Sequence, residues 1–69
     1  MRSEITVNGE RRAWRATDLI ALLESEDVDP ARRGVAVAIN GAVVPRHAWA
    51  QTTVQANDRI ESVKPFAGG

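Results

Sequence analysis

This sequence predicts an α+β fold, a mixed sheet of about five strands packed on one helix with a short second helix. Three observations carry that expectation. Asn-Gly pairs at positions 8–9 and 40–41 each sit between stretches of strand character. Leu19, Ile20, Leu22 and Leu23 form one broad apolar stripe of helical spacing. Residues 35–39, Val-Ala-Val-Ala-Ile, make a continuous apolar run of strand length.

Residues 3–7 alternate, with Ile5 and Val7 on one face and Glu4 and Thr6 on the other, as in a half-buried strand. Asn8-Gly9 suits a two-residue turn whose central residues both need positive φ. A return strand over about 10–14 closes the hairpin, with Trp14 as its buried anchor. Thr17 stands where a helix N-cap is wanted, and Asp18 then faces the positive end of the helix dipole. Pro30 ends anything helical before it, leaving residues 29–34 as a polar loop.

The run at 35–39 is short and carries two valines, which predicts a central buried strand. Asn40-Gly41 turns it into a short return strand over 42–44. Pro45 can open a short helix to about Gln51, because the first helical position needs no N–H donor. Asn57-Asp58 makes the last turn, and residues 59–64 the last strand. There Ile60 points into the core with Ser62 on its side, while Glu61 and Val63 lie on the open face. Hairpin, crossing helix and further strands in this order describe a β-grasp: one domain over residues 1–64, followed by a flexible tail over 65–69.

With 69 residues, such a domain buries only about 60% of the surface its unfolded chain exposes. A hydrophobic fraction of 43% supplies one modest core and no deep substrate pocket. Nine basic and nine acidic residues balance, which argues against a nucleic-acid partner. Arg11, Arg12 and Arg15 cluster, as do Glu24, Glu26, Asp27 and Asp29, and both clusters read as solvated patches. There is no cysteine, so disulfides, thiolate catalysis and cysteine-held metals are excluded and a reducing cytoplasm is the expected setting. No apolar run is long enough to span a bilayer and the start lacks a signal-peptide pattern, so no membrane partner is expected.

Catalytic constellations are missing. No Gly-rich phosphate loop and no nucleophile–base pair is present. His47, the one histidine, has no second ligand with which to hold a metal. The expectation is a protein that is not an enzyme and binds no cofactor or metal itself.

The terminal Gly68-Gly69 is different. At average usage of roughly 7% glycine, such an end arises by chance in only about one chain in two hundred. Residues 65–69 fully extended reach about 17 Å, far enough to enter a partner's active site while the body docks outside. Two residues without Cβ pass a narrow channel and deliver the Gly69 carboxylate as the one distinct chemical group. Activated by ATP as an acyl-adenylate, that carboxylate accepts a sulfur nucleophile and becomes a thiocarboxylate. Every catalytic group for this belongs to the partner.

Val37-Ala38-Ile39-Asn40, Val43-Val44-Pro45-Arg46, Trp49-Ala50, Asn57-Asp58-Arg59-Ile60-Glu61 and Gly68-Gly69 together resemble the ThiS sulfur carriers of thiamine thiazole biosynthesis, members of the ubiquitin-like β-grasp group. The Gly-Gly end alone is shared with ubiquitin and the molybdopterin-synthase sulfur carrier. Val-Pro-Arg-x-x-Trp is the more specific signal, read structurally: Pro45 sets a turn and Trp49 packs on the core. Two departures are Asn57, where the family usually has Gly, and the stiff, bulky Pro65-Phe66.

The resemblance implies an adenylating enzyme of the ubiquitin-activating type that brings ATP and Mg²⁺, a sulfur donor such as a cysteine desulfurase, and thiazole synthase as the acceptor. Gly69 is the expected reacting site, Gly68 and Ala67 its approach, and Val63 and Phe66 the partner contacts. The alternatives are sulfur delivery to another pathway (molybdopterin, cysteine or a siderophore), a ubiquitin-like modifier of protein lysines, and a plain interaction module working through its open sheet face.

Overall fold

Both Asn-Gly pairs take the left-handed turn their composition suits. Asn8 and Gly9 have φ of 51° and 85°, Asn40 and Gly41 of 53° and 84°. This geometry matches the right-handed twist of paired strands and closes two tight hairpins. The first joins β1 (Glu4–Val7) to β2 (Glu10–Ala13), the second β4 (Ala36–Ile39) to β5 (Ala42–Val43). In the computed structural model, which describes residues 3–65, these hairpins flank β7 (Arg59–Val63). The strand order is β2-β1-β7-β4-β5, with β1 and β7 parallel and the other neighbours antiparallel.

β7 is the central strand, and both turn asparagines extend its hydrogen bonding. Where β1 ends, the Asn8 N–H donates to Ile60 O at 2.8 Å. The Asn8 side-chain oxygen then accepts the Ser62 N–H at 2.8 Å, the next donor along the strand. On the other edge, Asn40 Oδ1 accepts the Arg59 N–H at 2.9 Å. Asn therefore gives both the positive φ and a side chain that replaces a missing strand residue.

One helix, α1 (Leu19–Ser25), crosses the inner face. Its N-cap is Asp18, whose Oδ1 accepts the Ala21 N–H at 2.8 Å. That corrects the expectation of Thr17. Thr17 instead belongs to a two-residue strand, β3 (Thr17–Asp18), paired antiparallel with β6 (Thr53–Val54). This small second sheet takes the residue before the helix into extended backbone. The helix stops five residues before Pro30: Asp27 adopts φ 61° and the Val28 N–H turns back to Leu23 O at 2.9 Å, burying Val28.

The core joins Ile5, Val7, Val37 and Ile60 of the sheet to Leu19, Leu22 and Leu23 of α1, with Val28, Val35, Trp49 and Val54. Trp49 is only 1% exposed. It lies on a 3-10 helix, Arg46–Gln51, entered through Pro45, and its indole N–H donates to Val44 O at 2.8 Å. Trp14 is half-buried, not the enclosed anchor expected. It follows β2 at the edge of the core, and its indole N–H donates to Val54 O at 2.9 Å. β4 is likewise not buried on both faces: Val37 points inward while Ala36 is exposed. An all-apolar run reads as two-sided burial, and the small Ala residues on its outer side conceal the alternation.

Candidate functional site

The open face of the sheet follows from strand register. Ala36 pairs with Val63, Ala38 with Glu61 and with Val43, so these side chains share the face away from α1. Val63 is 64% exposed and Val43 76%, the two large hydrophobic side chains most open to solvent among the described residues. They border a shallow hollow lined by Ala36, Val37, Ala38, Val43, Glu61 and Val63. Val63, expected on this face from alternation, lies there, and Ser62 shares the inner side with Ile60. Val43 escaped the sequence reading as a site residue, although its position two residues beyond the Asn40-Gly41 turn, across from Ala38, is the signal that finds it.

The remaining site residues expected from sequence, Phe66, Ala67, Gly68 and Gly69, lie outside the described residues. So does the conformation of the tail beyond Pro65. Pro65, the last described position, is half-buried next to Gly34.

Charge does not build a chemical centre in the body. Arg12 is opposite Ile5 in register, which directs it to the helix-bearing side. There it donates to Glu10 at 2.8 Å and to Glu26 at 3.1 Å, so the basic and acidic clusters meet across β2 and the end of α1. Hydrogen bonding to Glu10 first, then to Glu26, raises the Arg12 pKa further above its usual value. His47 is exposed on the 3-10 helix. Among the described residues, no three His, Cys, Asp or Glu side chains gather as metal ligands, and no buried side-chain polar atom lacks a partner. No helix among them is long and apolar enough to cross a membrane.

Arg46 has a different task. Its guanidinium lies 4.5 Å from the centroid of the Trp49 ring and donates to the carbonyls of Pro30, of Arg32 at 2.8 Å and of Val35 at 3.5 Å. Pro45, Arg46 and Trp49 of the Val-Pro-Arg-x-x-Trp segment thus form one structural unit. Pro45 starts the 3-10 turn, Trp49 anchors it in the core, and Arg46 holds the loop that leads into β4.

Comparison with known proteins matches the ThiS family model over residues 5–69. A curated relative, the sulfur carrier protein ThiS of Escherichia coli (strain K12), is 46% identical over 44 residues, covering 64% of this chain and 67% of the relative. The crystal structure of a thiamine biosynthesis protein (ThiS) from Geobacter metallireducens superposes with a TM-score of 0.74 at 31% identity, covering 96% of this chain and 99% of that one. A solution structure of a thiamine biosynthesis protein from the same organism gives 0.76 at 30% identity, with 96% and 87% covered.

Proposed function

The chain belongs to the ThiS family, and from that membership we propose that it is a sulfur carrier of thiamine biosynthesis, acted on by partner enzymes and not itself a catalyst. The observation that carries this reading is the extent of the family match, which runs through Gly68-Gly69 to residue 69. The body supports it by offering an open apolar face and a core given over to packing.

In the proposed reaction, a Gly69 carboxylate oxygen attacks the α-phosphorus of ATP held with Mg²⁺ by an adenylating enzyme of the ubiquitin-activating type. The α–β phosphoanhydride breaks and pyrophosphate leaves. Hydrosulfide then attacks the acyl carbon; where the donor is a cysteine desulfurase, a thiol reductant first releases its persulfide sulfur as hydrosulfide, the thiol being oxidised to a disulfide. A C–S bond forms, the C–O bond to AMP breaks, and Gly69 ends as a thiocarboxylate. Thiazole synthase receives the sulfur. ATP and Mg²⁺ bind the activating partner, and the carrier contributes a reachable end group and a docking face that includes Val63 and Phe66.

Incubation with the cognate adenylating enzyme, Mg-ATP and sulfide tests the reading by intact mass. The expected product has one terminal oxygen replaced by sulfur, mapped to the last peptide. Modification at an internal residue, no modification with the correct partner, or an isopeptide ladder on other proteins overturns it.

A further inference from the structure

The β4–β7 ladder ends in an unusual pair. Ala36 faces Val63, and two steps further along the same antiparallel register Gly34 stands opposite Pro65. Proline has no N–H with which to extend a ladder. Glycine leaves the facing space open, and the proline ring takes it. A Cβ placed on Gly34 would lie 3.1 Å from Pro65 Cβ, 3.4 Å from Cγ and 3.7 Å from Cδ.

The surface under that ring is held from the core. Gly34, at φ 85°, lies in the loop whose Pro30, Arg32 and Val35 carbonyls Arg46 binds. Arg46 in turn rests on the buried Trp49 ring. At the start of the same loop, Asp29 Oδ1 accepts the Ala31 N–H at 2.9 Å. Contacts therefore run without a break from core indole to guanidinium, loop, Gly34 and Pro65. Pro65 has its own φ fixed near −65°, and it biases Lys64 toward extended backbone.

We propose that Gly34 is a positioning residue, a side-chain-free seat for Pro65 that fixes the direction in which the terminal segment leaves the body. The functional consequence rests on the sulfur-carrier reading, because only then does the aim of Gly69 matter. Fixing the root limits the volume through which four terminal residues carry the carboxylate. A misplacement of 1 Å at a reacting atom can cost on the order of a hundredfold in rate.

Gly9 is the internal control. It shares φ 85° with Gly34, but a Cβ at Gly9 meets nothing within 4 Å. Gly9→Ala and Gly34→Ala thus carry similar backbone strain, and only the second presses on Pro65. A further variant, Pro65→Ala, removes the ring and leaves the Gly34 backbone alone. The first measurement is NMR on the full chain without any partner. A nuclear Overhauser contact between Gly34 Hα and the Pro65 ring is expected in wild type and Gly9→Ala. In Gly34→Ala the amide shifts of residues 66–69 should move. Absence of the contact in wild type, or tail shifts identical in the two alanine variants, overturns the seat.

The second measurement is ATP–pyrophosphate exchange with the cognate adenylating enzyme. Gly34→Ala and Pro65→Ala should lower kcat by about tenfold or more with a smaller change in KM for the carrier, since Val63 and the open sheet face keep their places and only the segment beyond Pro65 is re-aimed. Gly9→Ala should behave as wild type. Equal kcat in all variants overturns the positioning role. Failure of wild type itself to support exchange counts against the carrier reading, while the NMR result still decides the seat.

Discussion

Asn40 and Arg59 exchange two hydrogen bonds: the Asn40 N–H donates to Arg59 O at 2.8 Å, and the Arg59 N–H donates to Asn40 Oδ1 at 2.9 Å. The second bond uses a side chain where a strand would use backbone. Asn40 Nδ2 also donates to Asp58 Oδ1 at 2.9 Å, and Asp58 Oδ2 accepts the Gln55 N–H at 2.8 Å. One turn residue thereby orders the loop that feeds the central strand.

Replacement of Asn40 separates its two roles. Asn40→Gly keeps the positive φ and loses the side-chain bonds, which should cost about 1–2 kcal/mol. Asn40→Ala adds left-handed strain and should be less stable still. In a domain of this size each kcal/mol lowers Tm by about 4–8 °C, so calorimetry resolves the series. Equal melting of Asn40→Gly and wild type would show that the side chain contributes nothing.

Trp49→Ala removes the largest fully buried side chain and the support beneath Arg46. The expected loss is about 3–5 kcal/mol, a large share of the roughly 5–15 kcal/mol of a typical native domain. The urea midpoint should fall steeply or folding should fail. A variant melting within about a degree or two of wild type would be incompatible with the packing described.

Val63→Asp places a charge on the open face, outside the core. Stability should stay within about 0.5 kcal/mol. Binding to the adenylating enzyme, measured by titration calorimetry, should weaken by at least about tenfold, as for an apolar contact at an interface centre. An unfolded variant would mean that Val63 does not face solvent, and unchanged binding would assign docking to another surface.

Deletion of Gly69, or Gly68→Leu, should leave the melting curve unchanged within error, because neither residue brings a side chain to a core. Both should abolish or strongly reduce pyrophosphate exchange. Deletion alone withdraws the carboxylate by about 3.4 Å, more than the 1 Å that can cost about a hundredfold. A lost melting transition would build the tail into the fold, and full exchange activity would remove Gly69 from the chemistry.

Local sequence determined the hairpins, the helix and the inner face. Asn-Gly dictates left-handed turns by backbone sterics alone, and alternation assigned Ile60 inward and Val63 outward before any partner strand was known. The Gly-Gly end, the missing catalytic constellations and Val-Pro-Arg-x-x-Trp also made the family resemblance legible. Tertiary structure decided what depends on a distant partner. Thr17 is a strand residue because Val54 pairs with it, so the cap passes to Asp18. Trp14 is half-buried because its place is at the edge of the core, with its indole N–H on Val54 O. Gly34 meets Pro65 only because β4 and β7 pair in one register. Each of these relations joins residues more than 30 positions apart, and nothing in their near neighbours encodes such proximity. Pairing and burial across the fold supply it.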